Sequence, residues 1–446
     1  MTTSTPTPTE TGATTETTAP AETPTTPNTP NTPTTPDYRL LLTATAVSRT
    51  GTAVGSLALP LAAVLALHSP AWQIGLLAAL STAAFLLLGL PAGAWVDRLP
   101  KRPVMITADL TRAALLATVP AAWALGHLTF PHLCAVALLT GTATVFSDIA
   151  AQSHLPALVG RDRLTSANAH LVTVDALAQT AGRSAAGFLV SLLTAPIAVL
   201  VDATSYLASA CLLRRIHRPE PAPTAPPRKD GHRDGHRNTH RLASEIREGL
   251  RFVLGHPLLR PIALAGALTN LSVQICQTLL PVLFARTLHL PDAVTGLFFA
   301  TGGVGVFTGS LLARPLARRV GAGRVLWMVG LGIAPLGVLV ALVDRGPALW
   351  CAAGAWLLTT VKIGIDNVIK VSFRQHATPD HLLGRMNATM RVLLTGALTL
   401  GAALAGTLAS LTSVRTALWV GAAGLMLVWI PVFRSPLRTA RHLPGI

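Results

Sequence analysis

Charge and aromatic side chains are scarce in this chain. Asp, Glu, Lys and Arg make up 12% of its 446 residues and Phe, Trp and Tyr 5%, with two tyrosines, Tyr38 and Tyr206. A soluble domain carries about a quarter of its residues as charges, so the shortage argues against one. The four cysteines, Cys134, Cys211, Cys276 and Cys351, each lie inside an apolar run without a close pair. Neither a disulfide framework nor a zinc site is expected from them. No G-x-x-x-x-G-K-[ST] stretch occurs, which excludes nucleotide hydrolysis through a phosphate loop of that type. Acids are few as well, 19 against 35 Lys and Arg, for a formal charge of +16. The basic surplus falls in short loops between apolar runs, not on a face that tracks phosphates, so nucleic acid is not an expected partner.

What is abundant is apolar: half of the residues are hydrophobic and the mean hydropathy is +0.52. A polytopic membrane protein follows. Residues 1–38 are a Thr/Pro-rich tail that buries too little apolar area to fold, and they lack the basic and apolar regions of a secretory signal. Six apolar segments follow within 39–216: Leu40 to Leu67, Gln73 to Val96, Val104 to Leu125, His132 to Ala151, Asn168 to Leu193 and Pro196 to Leu213. Six more fall within 258–433: Pro261 to Leu283, Ala293 to Leu312, Arg324 to Val343, Leu349 to Val371, Met386 to Ala409 and Ala417 to Phe433. Between the two sets, 217–257 reads as a cytoplasmic linker. Its Leu242, Ile246, Leu250 and Leu254 have the spacing of an amphipathic helix on the membrane surface. His232, His236 and His240 recur every fourth residue, but Gly231 and Gly235 oppose a helix there, and a solvated linker is the simpler reading; no metal is expected. The Lys and Arg surplus sets both termini, including the tail 434–446, on the cytoplasmic side.

The two sets repeat. In one register Asn168 falls on Asn387, Gly182 on Gly401 and Gly187 on Gly406. Between the second and third spans runs Gly93-Ala94-Trp95-Val96-Asp97-Arg98-Leu99-Pro100-Lys101-Arg102. A degenerate copy without the aspartate, Leu312-Ala313-Arg314-Pro315-Leu316-Ala317-Arg318-Arg319, is expected in the corresponding loop of the second half. A glycine, an Asp-Arg pair and a trailing basic pair resemble the hinge signature of the major facilitator superfamily. Ser48-Arg49-Thr50-Gly51, the run Arg161 to Ala169, Glu245 to Phe252 and Gly384-Arg385-Met386-Asn387-Ala388 resemble its branch of enterobactin exporters and macrolide efflux proteins. The resemblance covers Arg39 to Phe433. It implies an all-α fold of two parallel six-helix halves and export of a small molecule, a drug, siderophore or other natural product, across a bacterial plasma membrane. One departure stands in the fifth span: Gly182-Arg183-Ser184-Ala185-Ala186-Gly187 replaces the Gly-Pro-x-x-Gly-Gly common in efflux members.

Ionisable residues inside a span are functional candidates by default, because each costs several kcal/mol unless it faces a cavity or a partner. Asp175, Gln179 and Arg183 share one helix face at i, i+4 and i+8. Lys362, Asp366 and Lys370 repeat that spacing, and Arg374 continues it. Arg49, Arg183 and Lys362 suggest a positive cavity suited to an anionic or carbonyl-rich substrate. Gln179 and the polar stripe Asn270, Gln274 and Gln277 complete its expected lining. Asp175 and then Asp366 are the expected proton-coupling acids. Gly93, Asp97, Arg98, Arg102 and Asp148 form an expected conformational latch, Asp148 reaching Arg98 or Arg102. Asp109 and Arg112 are expected to pair locally, whereas Asp202 has no evident local partner. The expected activity is secondary active export by alternating access in exchange for protons, by a monomer in the lipid bilayer without cofactor. An uncoupled facilitator or importer, or a non-transporting sensor or assembly partner, remains open. An enzyme is not expected, since no Ser/His, Cys/His or His/His/Glu set shares one depth.

Overall fold

A computed structural model describes residues 36–160, 164–217, 247–379 and 382–439. The first half comprises α1 (Pro36–Leu65), α2 (Ala71–Asp97), α3 (Lys101–Ala124), α4 (Phe130–Val159), α5 (Leu164–Leu193) and α6 (Ala195–Arg214). A linker helix, α7, is described over 247–255. The second half comprises α8 (Leu259–Val282, continued by a π turn at Leu283–Thr287), α9 (Asp292–Val320) and α10 (Ala322–Ile333, tightening to a 3₁₀ helix at Ala334–Val340). It is completed by α11 (Pro347–His376), α12 (Leu383–Leu411), α13 (Val414–Leu427) and the short α14 (Ile430–Phe433). Among the described residues, ten helical segments are long and apolar enough to cross a membrane. The helices α1 and α5 are equally long but more polar, with Arg49 in one and Asp175 and Arg183 in the other.

The breaks between helices have local causes. α2 and α9 begin at corresponding places in the two halves, each after a histidine with positive φ and a proline N-cap. These are His68 (φ 51°) before Pro70 and His289 (φ 43°) before Pro291. Histidine tolerates the left-handed region better than a branched residue, and proline presets the turn into the next helix. Gly321, at φ 97°, ends α9 by donating its N–H to the Ala317 carbonyl. The degenerate hinge copy was expected in a loop; it is instead the last turns of α9, because nothing before Gly321 stops the helix.

One apolar cluster runs through both halves, from Leu61, Ile74 and Val119 of the first to Leu279, Phe299 and Trp356 of the second, and the halves touch at one end through paired glycines. A methyl group built on Gly75 of α2 would lie 2.5 Å from the Gly406 Cα of α12, and one on Gly187 of α5 would lie 2.4 Å from the Gly296 Cα of α9. The repeat thus places one equivalent glycine of each half, Gly187 and Gly406, at the two places where backbones meet. Gly182 and Gly401 act one turn and a half earlier: a methyl on Gly182 would meet the Thr50 carbonyl oxygen of α1 at 2.6 Å, and one on Gly401 the Leu271 carbonyl oxygen of α8 at 2.5 Å. Arg286 Nη2 adds a bond across the halves at the same end, to the Ser69 carbonyl at 2.5 Å.

The described part of the linker helix packs on the second half by a side other than that of its leucines. Val253 is fully buried against Leu259, Ala263, Met386 and Met390, while Leu250 and Leu254 face outward. Gly249 lets α7 lie close to Thr389, and Glu248 accepts a bond from Arg385 Nη1 at 2.8 Å. Leu242, Ile246 and the three linker histidines lie outside the described residues.

Candidate functional site

The glycine contacts close one end of the molecule, and just inward of them lies a cavity of about 260 Å³ between the halves. Pro60, Leu77 and Phe299 give it apolar walls. Arg183 of α5 and Gln274, Gln277 and Thr278 of α8 bring polar groups. Arg183 has no hydrogen-bond or ion-pair partner among the described residues. A guanidinium with its donors unspent inside a largely apolar chamber is an attachment point for a carboxylate, phenolate or carbonyl oxygen. Gln179, one turn away on the same face of α5, is half-buried and is not among the residues that line this cavity.

The remaining residues expected to line this chamber are elsewhere. Arg49 belongs to a polar seam inside the first half: its Nη2 bonds Asp148 Oδ1 of α4 at 2.7 Å and its Nε lies 3.7 Å from Asp175 Oδ1 of α5. The Asp175 side chain is 50% exposed on the side away from the glycine closure. Deeper in the seam, Arg112 of α3 pairs with Asp109, donates to Ser147 Oγ at 3.1 Å, and lies 4.1 Å over the ring of Tyr206. Tyr206 in turn meets Thr52 Oγ1 of α1 at 2.8 Å. A space of about 50 Å³, bounded by Arg49, Asp109, Arg112, Asp148 and Ser209, joins these groups.

Lys362 does not reach the central cavity. Its Nζ is buried on Asp366 Oδ2 at 2.5 Å, and Lys370 Nζ approaches the same oxygen at 2.9 Å. The i, i+4 spacing on α11 makes both contacts possible at once, so a triad of two cations and one acid is held within a single helix. At 9% exposure Lys370 turns inward to this acid and does not reach out to the membrane surface. Asn270 spends an amide proton on the Leu394 carbonyl of α12 at 3.0 Å and borders a separate space of about 100 Å³ with Asp366, Lys370 and Arg374.

The hinge between α2 and α3 also differs from its expected wiring. Asp148 is taken by Arg49, not by Arg98 or Arg102. Arg98 is exposed, Lys101 Nζ bonds the Val96 carbonyl at 2.6 Å, and Arg102 bonds the Leu213 carbonyl at 2.9 Å and that of Arg214. The basic residues therefore close the C-terminal carbonyls of α2 and α6, where the helix dipole favours positive charge. A methyl on Gly93 would meet nothing within 4 Å, so packing does not demand a glycine there. The Asp97 side chain is outside what the structure describes.

Residues 41–369 match the model of the Major Facilitator Superfamily. The chain belongs to this superfamily. The enterobactin exporter EntS of Citrobacter koseri is 25% identical over 427 residues, 92% of this chain and 94% of that protein. Among solved structures, a bacterial homologue of the iron transporter ferroportin in its inward-facing state superposes with a TM-score of 0.68 at 17% identity, covering 89% of this chain and 98% of that one. A bacterial homologue of the lysosomal transporter Spinster, inward-facing and occupied, gives 0.69 at 14% identity, with 92% and 100% covered. The superfamily chain described here is accordingly a multi-pass transporter of the bacterial cell membrane, resembling the enterobactin exporters.

Two features of this superfamily member escaped the sequence. Ser56, Ser81 and Thr82 border the central cavity but look like ordinary helix residues in an apolar run. The seam through Arg112 and Tyr206 joins residues far apart in the chain, and spacing along one helix signals only its Asp109–Arg112 step.

Proposed function

We propose that this transporter exports an acidic or carbonyl-rich natural product by alternating access, in exchange for protons. The observation that carries the reading is Arg183, a cation in the central cavity without a hydrogen-bond or ion-pair partner among the described residues. The similarity to enterobactin exporters supports the direction and makes a siderophore-like compound the first substrate to try. Chemical handling of such a cargo needs no catalytic group, and no enzymatic activity is proposed. With both termini cytoplasmic, as the basic loops favour, the glycine closure is at the outer end and the conformation is open inward.

In this reading Asp175, half exposed beside Arg49, takes protons from water and exchanges its ion pair for a proton. Asp366, with Lys362 and Lys370 both on its Oδ2, is the second candidate carrier. The latch role proposed for Asp97, Arg98 and Arg102 rests on the hinge position. Asp148 takes part through Arg49, tying α4 to α1 and α5 rather than to the hinge.

Uptake of enterobactin into everted vesicles tests the reading. An acid-inside gradient should drive accumulation, and dissipating it should abolish accumulation. Arg183→Ala should weaken apparent affinity by roughly 10- to 100-fold, the worth of a hydrogen-bonded charge. Accumulation indifferent to the gradient would instead make the protein an uncoupled facilitator.

A further inference from the structure

The interior of the first half holds two buried acids facing one cation. Asp109 and Asp202 are 2% and 5% exposed, and Arg112, the cation that acts on Asp202, is already in an ion pair with Asp109. Among the described residues Asp202 makes no ion pair within 4 Å, and its Oδ1 has no hydrogen-bond partner. Ser205, the hydroxyl nearest in its own helix, spends its proton on the Asp202 main-chain carbonyl at 2.7 Å. Tyr206 is turned to Thr52 and lies under Arg112. The surface that α1 presents to the carboxyl is glycine: a methyl on Gly55 would lie 2.1 Å from Asp202 Oδ2, and one on Gly51 3.0 Å from Oδ1. An ionised carboxylate in such a seam would lack the partners that make buried charge tolerable, whereas a neutral carboxylic acid fits it.

Gly55 has a second face. It borders the central cavity, so only the main chain of α1 separates the Asp202 carboxyl from the chamber that holds Arg183.

We propose that Asp202 is a proton-binding site, carrying one proton while α1 and α6 are closed on each other and exchanging it with water of the central cavity across Gly55. Parting of α1 from α6 admits water to the carboxyl. The O–H bond then breaks, the proton passes to a water molecule, and the remaining carboxylate faces water and Arg112. Reclosure requires the proton back. Protonation of Asp202 is thereby tied to the movement of α1, and this assignment deepens the proton-exchange reading given above.

The test needs no substrate. Infrared difference spectra of the purified protein in lipid, recorded as pH is stepped, should show the deuterium-sensitive carbonyl stretch of a protonated carboxylic acid at neutral pH. Asp202→Asn should remove one carboxyl equivalent of it, and Asp175→Asn and Asp366→Asn should leave that equivalent in place. Asparagine is close in shape to the neutral acid, so Asp202→Asn should also melt close to the parent protein. Absence of the band in the parent protein, or its full retention in Asp202→Asn, overturns the proposal. Everted-vesicle uptake separates the two readings: a titrating Asp202 band with gradient-indifferent uptake refutes proton exchange but not the site, and gradient-driven uptake without the band refutes the site alone.

Discussion

A single methyl group at Gly187 should open the closed end of the transporter. At ordinary van der Waals distance two carbon atoms sit about 3.5–4.0 Å apart, whereas the new carbon would lie 2.4 Å from the Gly296 Cα and 2.6 Å from the Asp292 carbonyl oxygen. Both neighbours are backbone atoms and cannot swing aside, so α5 and α9 must separate by about 1 Å. Overpacking of this kind costs about 1–3 kcal/mol, and the cost falls only on the conformation in which these helices touch. The alternative, open at that end, should therefore gain about 5- to 150-fold in relative population. A cysteine placed at Gln277, in a background with the four native cysteines replaced by serine, reports the shift through its labelling by a membrane-impermeant maleimide added outside intact cells. Gly187→Ala should raise the labelling rate by at least 5-fold, and Gly406→Ala should do so less, since its methyl would meet backbone at 2.9–3.0 Å. Unchanged outside labelling in Gly187→Ala, with protein present at parental level, would refute both the closure and the proposed orientation.

Other perturbations address separate parts of the molecule. Asp366→Asn leaves Lys362 and Lys370 facing each other without their shared acid and should cost about 3–5 kcal/mol, read as a marked fall in melting temperature in detergent; a change within a degree would deny the triad a structural role. The Arg49 and Asp148 side chains are 35% and 21% exposed, so a double-alanine cycle on this pair should show coupling of about 1 kcal/mol or less in stability. At the hinge, Asp97→Asn should reduce export far more than any single change between Ala313 and Arg319, and equal losses from both segments would reduce the hinge to a positive anchor.

Much of the architecture is legible without coordinates because its causes are local or repetitive. Apolar length, the glycine register linking Gly187 with Gly406, and the basic loops each follow from the solvent the chain must cross. The i, i+4 ladder of Lys362, Asp366 and Lys370 on α11 was legible too, though not that both lysines would turn to the one acid. The docking of α7 was not legible: periodicity singled out Leu250 and Leu254, which stay exposed, whereas Gly249 and Glu248 bring α7 against α12 and bury Val253.

The polar cavity residues divide along the same line. One-helix spacing put Asp175, Gln179 and Arg183 on a common face, and Arg183 does border the central chamber. Spacing says nothing about which neighbour a long side chain will choose. Arg49 goes to Asp148 across to α4, Lys362 folds back onto Asp366, and Asn270 turns to α12, because a buried charge or amide takes whatever partner the packing brings within reach. Asp202 shows the limit most clearly. The chain alone marks it as an acid in a span without a local partner. Only the approach of Gly51 and Gly55, made possible by two missing side chains on another helix, decides that its carboxyl is enclosed, unpaired and one backbone away from the cavity.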